Sequence, residues 1–275
     1  MRVILTGATS FIGSAAAKCL EAHGHEVVRL RHSFDEDEDK LPDRADVWLH
    51  FAWGGHGSAG RSDPAIQEHN VEMSLAAIEK AAGLGCKRFV FAGSQAEYGH
   101  AQDGRDKSED GACEPVSEYG KAKLKLGLEA AKLKGDMSYV HMRIFSVYGP
   151  GDHAGSLIDS LISGFSCGET VELGNCTQSW NYMYISDAAE AIGLLCEKAE
   201  DGIYNVGSAD TRKLRAYVEE LHKLMGGKGR AAFGVRPDNA EGPADLSPDI
   251  SKLRGLGFCC KYSFADGIGE ILKTL

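Results

Sequence analysis

The chain has 275 residues, enough for one large α/β domain or for a nucleotide-binding domain with a small companion. Its formal charge of −10 argues against a nucleic-acid partner or a membrane surface, and no apolar run approaches the roughly 18–20 residues of a membrane span. The eight cysteines are scattered, without a CxxC pair or a histidine cluster at metal spacing, and the N-terminal segment lacks a signal-peptide pattern. We therefore expect a cytoplasmic protein with reduced thiols and no metal.

Apolar, β-branched runs alternate with stretches of helical spacing through the first 150 residues. Strands are predicted at 2–6, 26–30, 46–52, 88–94 and 138–145, and helices at 11–23, 64–83 and 116–134. A β-α-β alternation of this kind is typical of a parallel sheet with helices on both faces. Strands that are apolar almost throughout suit a sheet that is buried on both sides.

The pattern becomes less regular after residue 150. Short strands at 170–173, 180–185, 203–206 and 231–235 mix with helices at 155–165, 187–199, 211–225 and 264–274. We predict that residues 1–150 form a dinucleotide-binding domain and that residues 151–275 form mainly a smaller α/β substrate lobe. Some later segments are expected to return to the main sheet.

The segment "TGATSFIG" (6–13) joins the first strand to the first helix. Gly7 permits a tight turn, and Gly13 lets the helix pack close to the sheet, although Ser10 replaces the middle glycine of the usual pattern. The exposed N–H groups at the start of a helix suit a pyrophosphate. This context predicts a Rossmann-type, doubly wound fold that binds a dinucleotide; a merely structural turn is the alternative.

In such folds, residues at the end of the second strand bind the adenosine ribose of the cofactor. Arg31 stands there, followed by His32 and Ser33, instead of the acidic residue that selects NAD. A guanidinium suits a 2′-phosphate, so we predict NADP(H) in preference to NAD(H). The alternative is that Arg31 pairs with the acidic run at 35–40.

The segment "YGKAK" places Tyr119 and Lys123 four residues apart in a predicted helix, and hence on one face. Taken alone, this spacing also fits a solvated face with a half-buried tyrosine. A proton-transfer pair becomes the better interpretation once the glycine turn and the other motifs are considered together.

Six segments occur in the order and approximate spacing of a known family: "TGATSFIG", "DVWLHFA", "AGSQAEYG", "YGKAK", "MRIFSVYGPGD" and "RPDNAEGPADLSPDISKLRGLGF". Through them the chain resembles, almost end to end, the extended short-chain dehydrogenases/reductases, which include nucleotide-sugar epimerases, dehydratases and reductases. The resemblance implies a catalytic trio of Ser94, Tyr119 and Lys123. The phenol exchanges a proton with the substrate oxygen, the lysine lowers the phenol pKa, and the serine hydroxyl stabilises developing charge.

The resemblance also implies which residues bind the cofactor. These are Gly7, Thr9, Ser10, Phe11, Ile12, Gly13, Arg31, His32, Phe51, Ala52, Asn70, Tyr119 and Lys123. It further suggests a homodimer formed through helices 64–83 and 116–134.

Residues predicted to lie near the substrate limit which reactions of the family are expected. Gln95 and Ala96 stand where the family's 4,6-dehydratases carry an Asp–Glu pair, so dehydration by that route is disfavoured. We expect an NADPH-dependent reductase of a nucleoside-diphosphate 4-keto-6-deoxysugar. A C4 epimerase, a reductase of a non-sugar carbonyl, and a non-catalytic NADP(H)-binding regulator remain alternatives.

Five residues are expected to contact the substrate: Gln95, Ser146, Trp180, Asn181 and Arg236. The guanidinium of Arg236 suits the diphosphate. Trp180 replaces a second phosphate-facing arginine of the family and either stacks on a base or belongs to the core. His56 and Arg61 lie in a glycine-rich loop that could line the site or be a plain loop.

Overall fold

The computed structural model describes residues 1–32, 34–35, 37–55, 57–100, 104–237 and 244–275. Within these residues the central sheet has six parallel strands in the order β2-β1-β3-β4-β5-β9. The strands are β1 (Arg2–Thr6), β2 (Glu26–Leu30), β3 (Val47–His50), β4 (Arg88–Ser94), β5 (Ser138–Ile144) and β9 (Gly202–Val206). The predicted Rossmann-type α/β fold is confirmed.

Helices cover both faces of this sheet. Those of the first half are α1 (Phe11–Ala22), α2 (Ser58–Arg61), α3 (Pro64–Gly83) and α4 (Glu118–Leu133). Those of the second half are α5 (Leu157–Ser166), α6 (Ile185–Lys198), α7 (Leu214–Leu224), α8 (Ser251–Gly255) and α9 (Phe264–Leu272). Short 3₁₀ turns lie at Glu38–Lys40 and Gln95–Tyr98.

Alternate side chains of the strands fill two separate cores. Val3 and Leu5 of β1 pack on one face, in a cluster that includes residues of α1 and α6. Ile4, between them, points to the other face and joins a cluster with residues of α3 and α4. Because both faces are buried, the strands read as continuous apolar runs in the sequence.

The chain after residue 150 contributes to the main sheet and also forms a second unit of structure. Strand β9 pairs with β5 in the main sheet, and α6 packs on α1. A three-stranded sheet contains β6 (Ser146–Tyr148), β8 (Ser179–Tyr184) and β10 (Thr211–Lys213), and β7 (Thr170–Glu172) pairs with β11 (Arg230–Ala232). These elements enclose a third apolar core. The division at residue 150 stays a prediction.

Most boundaries shift by one to three residues from the sequence prediction, and two of the shifts have a clear structural cause. The run 46–52 is a strand only to His50, because Phe51 starts the loop that follows. The predicted helix 211–225 begins at Leu214, since residues 211–213 pair with β8 instead. No helix in the described ranges is both long and apolar enough to cross a bilayer. None of the eight cysteines, all within those ranges, forms a disulfide.

Candidate active site

The glycine turn between β1 and α1 leaves no room for side chains. Gly7 has φ +70°, and a Cβ there would lie 2.7 Å from the carbonyl carbon of Phe51. A Cβ on Gly13 would lie 2.7 Å from Ser10 Oγ, which caps α1 by accepting from the Gly13 N–H. The backbone can therefore come close to a pyrophosphate at the start of α1. This cradle fits the dinucleotide that the sequence predicts.

The remaining predicted cofactor residues surround this turn. Thr9 and Ser10 are exposed at the helix start, whereas Phe11, Ile12, Phe51 and Ala52 are partly buried. The Phe51 N–H donates to the Thr6 carbonyl and continues the β1–β3 register into the loop. These positions at the carboxyl end of the sheet are where open α/β sheets bind their ligands.

His50, at the end of β3, is neutral and fixed from both sides. Its Nδ1 is 2.8 Å from Thr6 Oγ1, and its Nε2 is 3.1 Å from Ser74 Oγ, which itself donates to the Asn70 carbonyl. Burial, followed by the charge of Lys123, lowers the pKa of His50 to about 3. His50 therefore supports the loop that follows it and is not a general base at neutral pH.

Arg31 and His32 are exposed beyond the end of β2. Asp37, in the described part of the acidic run, is bonded to the main chain of Arg31: its carboxylate accepts from the Arg31 backbone N–H at 2.9 Å and pairs with the Lys40 ammonium. Among the described residues the Arg31 guanidinium has no ion pair, so it remains available to an anionic ligand. Ser33, the next residue of the prediction, lies outside the described residues.

Lys123 is buried against the end of β4. Its Nζ donates to the Ala92 carbonyl at 2.7 Å and lies 3.5 Å from the ring centroid of Trp53 and 4.5 Å from that of Phe91. Burial lowers the pKa of Lys123 well below its usual value; the Glu97 carboxylate acts in the opposite direction, and the Arg61 charge lowers the pKa further. The aromatic faces favour the ammonium form.

Tyr119, one turn earlier on α4, is partly buried and held by the loop after β3. The Trp53 ring meets it edge-on at 6.2 Å, and the Arg61 guanidinium lies 4.2 Å from the centre of its ring. A Cβ on Gly120 would lie 2.5 Å from the Ala96 carbonyl oxygen, so α4 packs directly on the turn that follows Ser94. The structure thus brings the elements that carry Ser94, Tyr119 and Lys123 together.

The loop after β3 is fastened to α3 by two buried amide side chains. Asn70 accepts from the Gly54 N–H at 2.8 Å and donates to the Gly54 carbonyl at 3.0 Å. Gln67 accepts from the Trp53 indole at 2.9 Å and donates to the Gly60 carbonyl at 2.8 Å. Asn70 was predicted to bind the cofactor, but its side chain positions this loop. His56 lies outside the described residues.

Ser94 ends β4 and caps the turn that follows. Its Oγ accepts from the Ala96 N–H at 3.2 Å, and no described residue accepts its hydrogen. The Ser94 N–H donates to Glu97 Oε1 at 2.8 Å. The backbone on both sides of the hydroxyl is therefore fixed, and the hydrogen is left for a ligand.

Glu97 is a fully buried carboxylate that sequence reasoning missed. It accepts from His141 Nε2 at 2.8 Å and from Arg143 Nε at 3.0 Å, in addition to the Ser94 N–H. Burial alone raises the pKa of Glu97, but the His141 and Arg143 charges and these hydrogen bonds outweigh it and hold the pKa below its ordinary value. Both oxygens are occupied, so this carboxylate supports Ser94 and is not placed for substrate proton transfer.

Of the predicted substrate residues, Gln95 and Ser146 are in contact. Gln95 Nε2 donates to Ser146 Oγ at 3.2 Å, and Gln95 Oε1 is buried without a hydrogen-bond partner in the described part of the chain. Such an orphaned acceptor is expected where a ligand donates. Trp180 packs beside a small apolar cluster of Tyr98, Phe145, Ala244 and Leu246.

Asn181, predicted to contact the substrate, makes its observed hydrogen bonds within the chain. Its side chain is buried and donates to the Ser208 and Asp210 carbonyls and to Thr211 Oγ1, while its Oδ1 accepts from the Ser208 N–H. Its hydrogen-bonding capacity is used within the chain, so it holds β8 to the following loop. Arg236 is exposed and lines a groove with Ser160, Ser163 and Thr170.

Comparison with known proteins decides the family. Residues 3–207 match the model of the NAD dependent epimerase/dehydratase family. The chain belongs to this family. It is therefore an NAD(P)-dependent enzyme of the extended short-chain dehydrogenase/reductase type, as the sequence resemblance implied.

The relatives of this epimerase/dehydratase chain include proteins whose names contain nucleotide sugars. It is 24% identical over 244 residues to a CDP-abequose synthase from Yersinia pseudotuberculosis (82% of this chain, 81% of the relative). It is 25% identical over 297 residues to a UDP-glucose 4-epimerase from Corynebacterium glutamicum (92% and 89%). The crystal structure of the Thermus thermophilus UDP-glucose 4-epimerase with NAD superimposes with a TM-score of 0.86 at 22% identity (99% and 98%) and shows the fold.

Proposed function

We propose that this epimerase/dehydratase family member is an NADPH-dependent reductase of a nucleoside-diphosphate keto-sugar, of the 4-keto-6-deoxy type. The observation that carries the proposal is the position of Lys123, whose ammonium is buried one helical turn from Tyr119 and bonded to the strand that ends at Ser94. A phenol, a cation and a hydroxyl on adjoining elements are the groups that carbonyl reduction needs.

The bound dinucleotide would supply the hydride. Gly7, Ser10 and Gly13 would hold its pyrophosphate at the start of α1, and Arg31 would contact a 2′-phosphate. The fit rests on the close approach of backbone that the two glycines allow and on the unpaired Arg31 guanidinium in the described structure.

Tyr119 donates the proton that the carbonyl oxygen takes up on reduction. A phenol has an ordinary pKa of about 10, and nearby cations favour its ionised form. Lys123 provides one cation on the same helix face, and the Arg61 guanidinium provides another, 4.2 Å from the ring centre. Both therefore make the proton easier to release.

Ser94 donates its remaining hydrogen to the same carbonyl oxygen, where negative charge develops. Its lone pair is engaged by the Ala96 N–H, which directs the O–H bond away from the turn. In acyl-transfer enzymes, a preorganised donor of this kind contributes about 3–4 kcal/mol to transition-state stabilisation.

The sugar nucleotide would lie across the carboxyl end of the sheet toward the second lobe. Gln95 Oε1, the orphaned acceptor, would take a sugar hydroxyl hydrogen, with Ser146 beside it. Arg236 would contact the diphosphate. The CDP- and UDP-linked sugars in the relatives' names support a nucleotide-sugar substrate.

A C4 epimerase is the second candidate, supported by the similarity to UDP-glucose 4-epimerases. An epimerase keeps its cofactor through each turnover, whereas a reductase exchanges it. The exposed Arg31 favours NADPH, the usual reductant of biosynthesis, and hence the reductase.

The deciding experiment is a panel of nucleoside-diphosphate 4-keto-6-deoxysugars, incubated with NADPH and followed at the nicotinamide absorbance. The reductase proposal expects stoichiometric NADPH consumption with at least one member. Interconversion of C4 epimers without net consumption, by protein that retains cofactor through purification, would establish the epimerase instead. No reaction with any member would refute this substrate class.

A further inference from the structure

Three potential ligand groups of different chemistry meet where the last turn of α1 packs on α6. Cys19 and His23 lie one turn apart at the end of α1, and Glu190 faces them from α6. One atom of each (a thiol sulfur, a ring nitrogen and a carboxylate oxygen) lies within 4.8 Å of the other two. Cys19 Sγ is 4.0 Å from His23 Nε2, which is 3.7 Å from Glu190 Oε2.

The surroundings of His23 favour its use as a ligand. Its Nδ1 is 3.3 Å from Glu197 Oε1, which also accepts from His25 Nε2 at 2.9 Å. A carboxylate on one ring nitrogen fixes the tautomer and turns the other nitrogen toward the metal in many protein sites. His23 is also the C-cap residue of α1, where the helix dipole favours a cation.

We propose that Cys19, His23 and Glu190 bind a divalent transition-metal ion of the zinc class between α1 and α6. Zn²⁺ accepts S, N and O ligands at about 2.0–2.3 Å in tetrahedral geometry, and one position would be left for water. The ligand atoms would close in by less than about 1.5 Å to reach that geometry. Binding displaces the thiol proton from Cys19.

Cys19 packs on the backbone of α6, and a lysine ammonium lies beside the Glu190 carboxylate. A Cβ on Gly193 of α6 would lie 3.6 Å from Cys19 Sγ, so the sulfur rests directly on the α6 backbone. The Lys261 ammonium, 3.8 Å from Glu190 Oε1, is the local cation that a metal would replace. Its side chain is 66% exposed and can swing into solvent. The ion would join α1, which starts at the glycine turn, to α6.

The sequence alone did not reveal this arrangement. Cys19 and His23 have a spacing that brings both to one helix face, but the third group comes from a helix that begins at residue 185. Only the packing of α6 on α1 completes the set.

The test is metal binding by the full chain, free of any histidine tag. Zn²⁺ affinity is measured by calorimetry and by competition with a chromogenic chelator, and Co²⁺ absorption reports whether a thiolate is a ligand. We expect one ion per chain and a thiolate-to-cobalt charge-transfer band. Cys19→Ser should abolish that band, and His23→Ala and Glu190→Gln should each weaken Zn²⁺ binding at least about tenfold.

Matched controls separate this site from adventitious binding. Cys167→Ser and Cys259→Ser remove exposed thiols elsewhere, and His153→Ala removes an exposed imidazole; these variants should bind Zn²⁺ as the wild type does. Glu197→Gln should weaken binding by about tenfold through His23. Absence of binding, or equal affinity in Cys19→Ser and the controls, would refute the site.

Discussion

The Nζ atom of Lys123 lies 3.5 Å from the centroid of the Trp53 ring, while it donates to the Ala92 carbonyl. A desolvated cation over a tryptophan face gains about 2 kcal/mol. This interaction offsets part of the cost of burying the ammonium, which otherwise lowers the pKa of Lys123. Trp53 therefore helps to keep charged the lysine on which the acidity of Tyr119 depends.

Replacement of Trp53 should weaken catalysis through Lys123. We expect Trp53→Leu to lower kcat/KM about tenfold, which corresponds to about 1.4 kcal/mol of lost transition-state stabilisation. Trp53→Phe keeps an aromatic face and loses the indole bond to Gln67, so its loss of activity should be smaller. Steady-state kinetics of both variants decide the matter, and equal rates in Trp53→Leu and wild type would exclude this role.

Glu97→Gln should destabilise the fold strongly at neutral pH. It removes the negative charge between His141 and Arg143 and leaves a buried guanidinium without its counter-charge. Breaking a buried ion pair in this way costs about 3–5 kcal/mol. Urea unfolding at neutral pH measures the difference in free energy of unfolding from wild type.

The unfolding free energies of wild type and Glu97→Gln should become more similar in acid. The pKa of Glu97 is lowered in the folded state from its ordinary 4.5, so its ionised form stabilises the fold above that pH. This contribution is lost as the pH falls through the lower, folded-state pKa. The gap in unfolding free energy between wild type and Glu97→Gln should therefore shrink below pH 4.5. A gap that is independent of pH would show that charge is not the cause.

Arg31 should decide the choice of cofactor. We expect Arg31→Ala to weaken NADPH binding about tenfold and to leave NADH binding unchanged, because only the 2′-phosphate is lost as a partner. Arg29→Ala, two residues earlier within β2 and paired with Glu21, is the matched control. Fluorescence titrations measure both affinities; tighter binding of NADH than of NADPH by the wild type would overturn the assignment.

The proposed dimer should depend on the outer face of α4. Helices α3 and α4 pack side by side, with Lys125 bonded to Glu68, and Leu128 is 66% exposed beside them. Leu128→Asp should convert a dimer into a monomer, whereas Leu224→Asp, at a 41% exposed position on α7, should not. Light scattering after gel filtration gives the masses. A monomeric wild type would refute this dimer.

The fold could be predicted because local patterns determine it. All six sheet strands in the described structure were predicted to within two residues at each end, since apolar β-branched runs between glycines have few alternatives. The sixth, Gly202–Val206, was recognised as a strand, but its place beside β5 depends on a long connection that no local pattern encodes.

Sequence reasoning identified the candidate site residues that stand at motif positions. Tyr119, Lys123 and Ser94 stand at motif positions. Glu97 was overlooked within a quoted motif, because only its burial against His141 and Arg143, more than 40 positions away, shows its role. The contacts of Asn181 with Ser208, Asp210 and Thr211 cannot be seen in the sequence either, because they depend on how β8 packs against the later loop.

The central claim is that Tyr119 supplies the proton in a nicotinamide-dependent reduction. The most direct test is single-turnover oxidation of bound NADPH by a keto-sugar substrate, in the wild type and in Tyr119→Phe. We expect Tyr119→Phe to bind NADPH with unchanged affinity but to oxidise it at least about 100-fold more slowly. Oxidation at the wild-type rate by a variant that binds NADPH normally would contradict the claim.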